Sequence, residues 1–493
     1  MKLNAMALAA AALLAGCSVG PDYVRPAVET PAAYKEAGNW KPAQPKDDAN
    51  RGKWWEVFND PLLNQLQDQV DISNQNLAQA EAQYREALAL VQAARAGYYP
   101  TLSAGVSNTR SRASSTTISQ PTATPISFGV VTNHNIPFQA SWAPDLWGKI
   151  RRTVEASEAG AQASAGALEA ARLSVRATLA QTYFQLRGLD AQQVLLEDTI
   201  AAYAKSLNLV QNQYTAGVVA KADVVQAQTQ LKSAQAQAID IGAQRAPLEH
   251  AIASLVGKPP TELSIPRLPL VAAVPPPPAG LPSELLERRP DIAAAERRMA
   301  QANAQIGVAT AAYYPAFTLS AAGGYQSAAM VDWLTAPSRY WSFGAAIAQA
   351  VFDGGLRRAQ TAQAIAAYDA NVAAYRQTVL TGFQQVEDNL ATLRILEQEA
   401  EVQGEAVKLA EQALALALNQ YKAGTVNYLT VVVIQAAALA NQRTAVDILS
   451  RRMSASVQLI TALGGGWTPS REELAAGSAS QSERDAAGAA TGK

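Results

Sequence analysis

Through residues 71–95 apolar positions recur at helical spacing among alanines and glutamines, and the pattern stops before Tyr98, Tyr99 and Pro100. From Thr101 the period drops to two. Leu102, Ala104 and Val106 fall on one side, and Thr101, Ser103, Ser107 and Thr109 on the other. A polar, Pro- and Thr-rich stretch follows, then a second alternating strand with Phe138, Ala140 and Trp142 against Gln139 and Ser141. Helical spacing returns from Gly148 to Tyr214. The same succession then recurs: Phe317, Leu319 and Ala321; Trp341, Phe343, Ala345 and Ile347; and a helical stretch from Gly355 to Tyr421. At 1.5 Å per residue each long helix would run about 100 Å. Each strand has about the length that a tilted strand needs to cross a bilayer.

Residues 212–217 read NQYTAG and residues 419–424 read NQYKAG, an offset of 207. Ile200, Tyr203, Leu207, Val210 and Tyr214 step by three and four, and the offset carries them onto Val407, Ala410, Leu414, Ala417 and Tyr421. Beyond the phrases, Val224, Val225 and Gln228 answer Val431, Val432 and Gln435. YYPTLSAGVS (98–107) answers YYPAFTLSAAGG (313–324), and DLWGKIRR (145–152) answers DGGLRR (353–358). The expectation is a tandem duplication. Gly217 and Gly424 close the long helices, so each phrase marks the tip of a helical hairpin. The expected divisions are a signal at 1–16, an N-terminal extended segment at 17–61, a first repeat at 62–257, a proline-rich linker at 258–282, a second repeat at 283–467 and a disordered tail at 468–493.

Composition narrows the function. The 493 residues carry a formal net charge of −1, so there is no basic surplus for nucleic acid. Two histidines and one cysteine provide no cluster for a metal and no Cys–His nucleophile, and no cofactor is expected. Glu387 and Asp388 read as a solvated pair on a helix, which leaves the enzyme reading weak. The N-terminus, MKLNAMALAAAALLAGC, has a basic Lys2, an apolar run from Ala5 to Ala15 too short to span a bilayer, and small residues before Cys17. LAGC resembles the bacterial lipoprotein signal. That resemblance implies cleavage before Cys17 and lipidation of its thiol, and Ser18 then implies delivery to the outer membrane.

Four strands cannot close a barrel, and open sheet edges are not tolerated in lipid. The pattern therefore leaves two objects. One is an oligomer, with three copies supplying twelve strands and six helical hairpins. The other is a structural envelope lipoprotein without a pore, attached by its lipid alone.

GCSVGPDYVRP (16–26), WWEVFNDPLLNQL (54–66) and ERRPDIAAAERRMAQANAQIGVATAAYYP (287–315) resemble the outer-membrane factor family, the TolC-like and OprM-like channels, in its lipidated efflux branch. The resemblance implies a mainly α fold with membrane β: a trimeric twelve-stranded β-barrel continuous with a twelve-helix periplasmic α-barrel. It implies a passive exit duct in the bacterial outer membrane, partnered by a periplasmic adaptor (membrane fusion) protein and an inner-membrane transporter of RND type. The same fold also serves type I protein secretion, which stands as the alternative. By the resemblance, Ala216, Gly217, Val218, Ala423, Gly424 and Thr425 are adaptor-docking tips. Asp223 and Tyr421 fall on positions that hold the pore shut. Where members often carry an aspartate ring this chain has Val433, and Val426 replaces an arginine found in some members near the second tip. A more apolar, less cation-selective constriction is expected.

Overall fold

The structure is a computed structural model that describes residues 19–27, 34–35, 53–112, 129–270, 274–275 and 289–465. The signal, Cys17 and the 468–493 tail lie outside the described residues. The helices of interest are α1 (Pro61–Ser73), α2 (Gln75–Arg95), α3 (Lys149–Thr215), α4 (Lys221–Leu255), α5 (Pro290–Ala311), α6 (Leu356–Lys422) and α7 (Tyr428–Ala462). The chain divides into two compact units.

The first unit comprises residues 1–26, 85–161 and 296–373 and holds an antiparallel sheet. Its strands are β1 (Thr101–Ala104), β2 (Ser107–Ser111), β3 (Val131–Trp142), β4 (Ala316–Ser327) and β5 (Arg339–Ala348). β1 and β2 both pair with β3, β3 with β4, and β4 with β5. The single first strand expected through Thr109 is broken after Ala104, where the Gly105 N–H donates to the carbonyl of Pro137 at 3.0 Å. The register gathers the alternating apolar residues onto one face: Leu102 opposite Ala140, Phe138 opposite Gly323, Trp142 opposite Leu319, Ala321 opposite Phe343 and Phe317 opposite Ile347. Much of that face is bare. Leu102, Trp341, Phe343 and Ile347 are each 70% or more exposed.

The second unit comprises residues 27–84, 162–295 and 374–493. Its largest core packs Trp55, Leu63, Leu66 and Val70 against Leu179, Tyr183, Phe184 and Leu186 of α3, with Ile252 of α4 and Met453 and Val457 of α7. Each fully buried large apolar side chain here contributes about 1.5–3 kcal/mol. Tyr183 Oη donates to Asp60 Oδ2 at 2.6 Å, and Asp60 also accepts from the N–H groups of Leu62 and Leu63, capping α1.

One expectation is corrected in this unit. The helix predicted as continuous from Asp71 to Arg95 breaks at Asn74. The Asn74 backbone is extended, its Oδ1 accepts from the Leu77 N–H at 3.0 Å, and its Nδ2 donates to the Leu255 carbonyl at 2.7 Å. The opening of the proline-rich linker is itself held in place. Asp190 accepts from Arg245 at 2.7 Å, Arg187 at 3.1 Å and the Leu268 N–H at 3.2 Å, while Arg245 donates to the Ile265 carbonyl at 2.7 Å. Ile265 is 4% exposed. The buried acid and its two arginines need these partners, and in finding them they pin the chain.

Candidate functional site

α3 and α6 are both 67 residues long, α4 and α7 both 35, and each of the four matched pairs of ends differs by the same 207. The turns between them also match. At the first tip the Val218 N–H donates to the Gln213 carbonyl at 2.9 Å and the Gly217 N–H to the Tyr214 carbonyl at 2.9 Å. At the second, the Thr425 N–H donates to Gln420 and the Gly424 N–H to Tyr421, both at 3.0 Å. This Schellman arrangement needs a left-handed residue, and Gly217 (φ +74°) and Gly424 (φ +73°) supply it. Ala216, Gly217, Val218, Ala423, Gly424 and Thr425 are all exposed, and nothing in the chain lies within 4 Å of where either glycine would carry a Cβ. The tips are open to a partner's approach.

The tips start their return helices differently. Asn427 Oδ1 accepts from the Thr430 N–H at 3.0 Å, whereas Ala220 at the matching position has no side chain to cap with. Asp223 stands in the first turn of α4, where the helix dipole favours a negative charge.

The two repeated phrases touch. Tyr421 Oη, from the second, donates to Gln213 Oε1, from the first, at 2.6 Å. Around that bond Val210, Ala227, Tyr421, Tyr428, Val431 and Val432 form a small core, with the Tyr421 and Tyr428 ring centres 5.4 Å apart. Burial raises the Tyr421 phenol above its ordinary range, with the Asp223 carboxylate as the lesser cause, and pushes Tyr428 up to about 12. Of the predicted gate residues, Tyr421 is 5% exposed, Asp223 is half-buried and near enough to bias Tyr421, and Val433 is 60% exposed, outside this cluster. Gln213 and Tyr428 were missed in the sequence. Gln213 stands in the repeated phrase itself, and that was the available signal.

Among the described residues no group of three or more His, Cys, Asp or Glu side chains is placed to hold a metal, and no helix is long and apolar enough to cross a membrane.

Comparison with known proteins supplies the context for this geometry. The profile of the family described as "Outer membrane efflux protein" matches residues 66–258 and again 281–465. This chain belongs to the outer membrane efflux protein family. Among its curated relatives, the probable efflux pump outer membrane protein SepC of Pseudomonas putida is 30% identical over 479 residues, which covers 95% of this chain and 98% of SepC. OprJ of Pseudomonas aeruginosa is 30% identical over 470 residues, covering 94% and 96%. The solved outer-membrane channel OprN superposes with a TM-score of 0.83 at 30% identity, over 92% of this chain and all of that one. The open-state MtrE channel of Neisseria gonorrhoeae gives 0.80 at 27% identity, over 91% and 98%. As an outer-membrane efflux protein, the chain joins a mostly helical body to strands with an exposed apolar face.

Proposed function

We propose that this protein is the passive outer-membrane exit duct of a tripartite efflux system and works as a homotrimer. The observation that carries the reading is a contact made once within the chain and left unmade once. Tyr421 meets Gln213, but the counterparts displaced by 207, Tyr214 and Gln420, are both exposed. The mismatch extends to their neighbours. Val432 is 4% exposed and Val225 is 51%; Leu209 packs against the tip core and Leu416 is 63% exposed. In a ring where first and second hairpins alternate, Tyr214, Val224 and Val225 of one copy would cover Leu416 and Gln420 of the next. Ile395, Val402, Leu409 and Leu416, all at least 52% exposed, continue that uncovered stripe along α6 at heptad spacing.

The sheet supports the same assembly. β1 and β2 are segments of one strand line, so each chain brings four strands, whose outer edges pair with nothing among the described residues. Lipid does not tolerate open edges, and three chains would close a twelve-stranded barrel continuous with a twelve-helix tube. The two halves are then a tandem duplication. Cys17 carries the lipid anchor. The exposed tips, Ala216 to Val218 and Ala423 to Thr425, dock a periplasmic adaptor that joins the duct to an inner-membrane transporter of RND type. Asp223 and Tyr421 hold the periplasmic end shut, and Val433 lines an apolar constriction. The cargo is a class of small toxic compounds, as the toluene and antibiotic efflux named for its relatives suggests. Energy and most selectivity belong to the transporter.

Paired cysteines test the assembly. The Tyr214→Cys/Gln420→Cys variant should form disulfide-linked species up to three chains in intact cells, and a thiol-reactive cross-linker at Val218→Cys should capture a periplasmic adaptor identifiable by mass spectrometry. A double-cysteine variant that stays monomeric would contradict the ring.

A further inference from the structure

Arg152, on α3 in the first unit, keeps only 4% of its side-chain surface exposed. A guanidinium in such a place is strongly unfavourable unless its donors are met. It spends most of them on the extreme N-terminal segment. Nη2 donates to Asp22 Oδ1 at 2.8 Å and to the Gly20 carbonyl at 3.1 Å, Nε to the Val19 carbonyl at 3.4 Å, and Nη1 to Glu155 at 2.8 Å. From α5, Asn303 Nδ2 donates to the Pro21 carbonyl at 2.9 Å, and Glu296 accepts from Tyr23 at 3.5 Å and faces Arg25 at 3.8 Å. Gly20, at φ +100°, lies so close that a Cβ there would sit 2.5 Å from the Gly307 Cα. A Cβ on Gly307 would in turn lie 2.8 Å from the Arg152 side chain. Backbone meets backbone here, and only two glycines permit it.

The α5 residues that hold this segment are written in one half only. Arg152 itself has a counterpart in Arg358, in the matched DLWGKIRR and DGGLRR stretches. Aligning the two YYP triplets carries Asn303 and Gly307 onto Leu88 and Gln92. Residues that merely built the common fold would be expected in both halves. Among the described residues, the next point at which this segment is held is Tyr34, 8% exposed, with the Lys35 N–H donating to Glu387 at 2.7 Å.

We propose that Val19–Arg25 is a docked strap, with Arg152 as its positioning residue, that sets how far the lipid on Cys17 can reach from the sheet-bearing unit. The inference rests on Cys17 being lipidated. Cys17 stands three residues before Gly20, a reach of about 10 Å when fully extended. Freed back to Tyr34, the tether would span up to about 60 Å. The short tether holds the strands at high effective concentration near the bilayer while chains await their partners, so it speeds assembly.

Hydrogen exchange over residues 19–25, the mass of the N-terminal peptide and the rate at which pulse-labelled chains become cross-linked trimers test this together. Arg152→Ala should leave the lipid mass unchanged, raise exchange in the strap by about tenfold or more and slow assembly several-fold. Asp22→Asn should act in the same direction, and because the Asp22 side chain is 91% exposed it leaves the helical core intact if Arg152→Ala fails to fold. Cys17→Ala should lose the lipid and slow assembly while the strap stays protected. Strap exchange unchanged in both Arg152→Ala and Asp22→Asn, or raised without slower assembly, would overturn the strap. A wild-type N-terminal peptide without lipid would instead overturn the lipidation of Cys17, and the tether with it.

Discussion

Gly217 and Gly424 occupy left-handed backbone with open space around them, so their cost of replacement is conformational only. Gly217→Ala and Gly424→Ala should each weaken the local tip by about 1 kcal/mol, read as faster exchange around the turn with the rest of α3 and α6 unchanged. The tyrosines at the matching positions should not behave alike. Tyr421→Phe removes a hydrogen bond of about 1 kcal/mol and should loosen the tip of an isolated chain, whereas Tyr214→Phe should matter only after assembly. Burial also gives the tip core a pH limit. Tyr428 titrates near 10.0 when unfolded and near 12 when folded, and Tyr421 is shifted the same way. Folding therefore favours the protonated phenols. Their contribution is complete below pH 10 and is lost as pH rises through about 12, so exchange at the tip should increase over that window. The repeated phrase made the tips legible in the sequence. It could not show that Tyr421 is buried and Tyr214 bare, because the two positions read alike and differ only in what packs beside them.

Elements differ where their ends differ. α7 begins with Asn427, whose side chain caps Thr430, and α4 begins with Ala220 in the same extended backbone without a cap. Asn427→Ala should cost about 1 kcal/mol of helix stability, and Ala220→Asn should gain a comparable amount, with thermal unfolding as the readout for both. The long helices were legible to within a residue at both ends because their seam and closing glycines agree. The break between α1 and α2 was not, since Asn74 sits in a polar run that keeps helical spacing on both sides. Only its two side-chain bonds, one of them to the distant Leu255, reveal it as an end and a beginning. The same limit hid the pinning of Ile265 and Leu268: a proline-rich linker does not show in its own residues that the buried Asp190 and its arginines hold its start.

At the scale of the molecule, family and compartment were readable from the signal, the GPDY start and the RRPDI block, whereas the proposed contacts between copies rest on faces left bare. Val433 is exposed near the second tip, and in the proposed duct it lines the constriction without a charge to attract cations. Reconstituted wild-type channels should show weak cation selectivity in reversal-potential measurements, and Val433→Asp should increase it. The most direct test of the central claim is single-channel conductance of purified protein in a planar bilayer, with wild type beside an Asp223→Asn/Tyr421→Phe variant. An outer-membrane duct closed at its helical tips predicts small unitary steps for wild type and larger ones for the variant. An absence of unitary steps from both, at protein levels confirmed in the membrane, would contradict it.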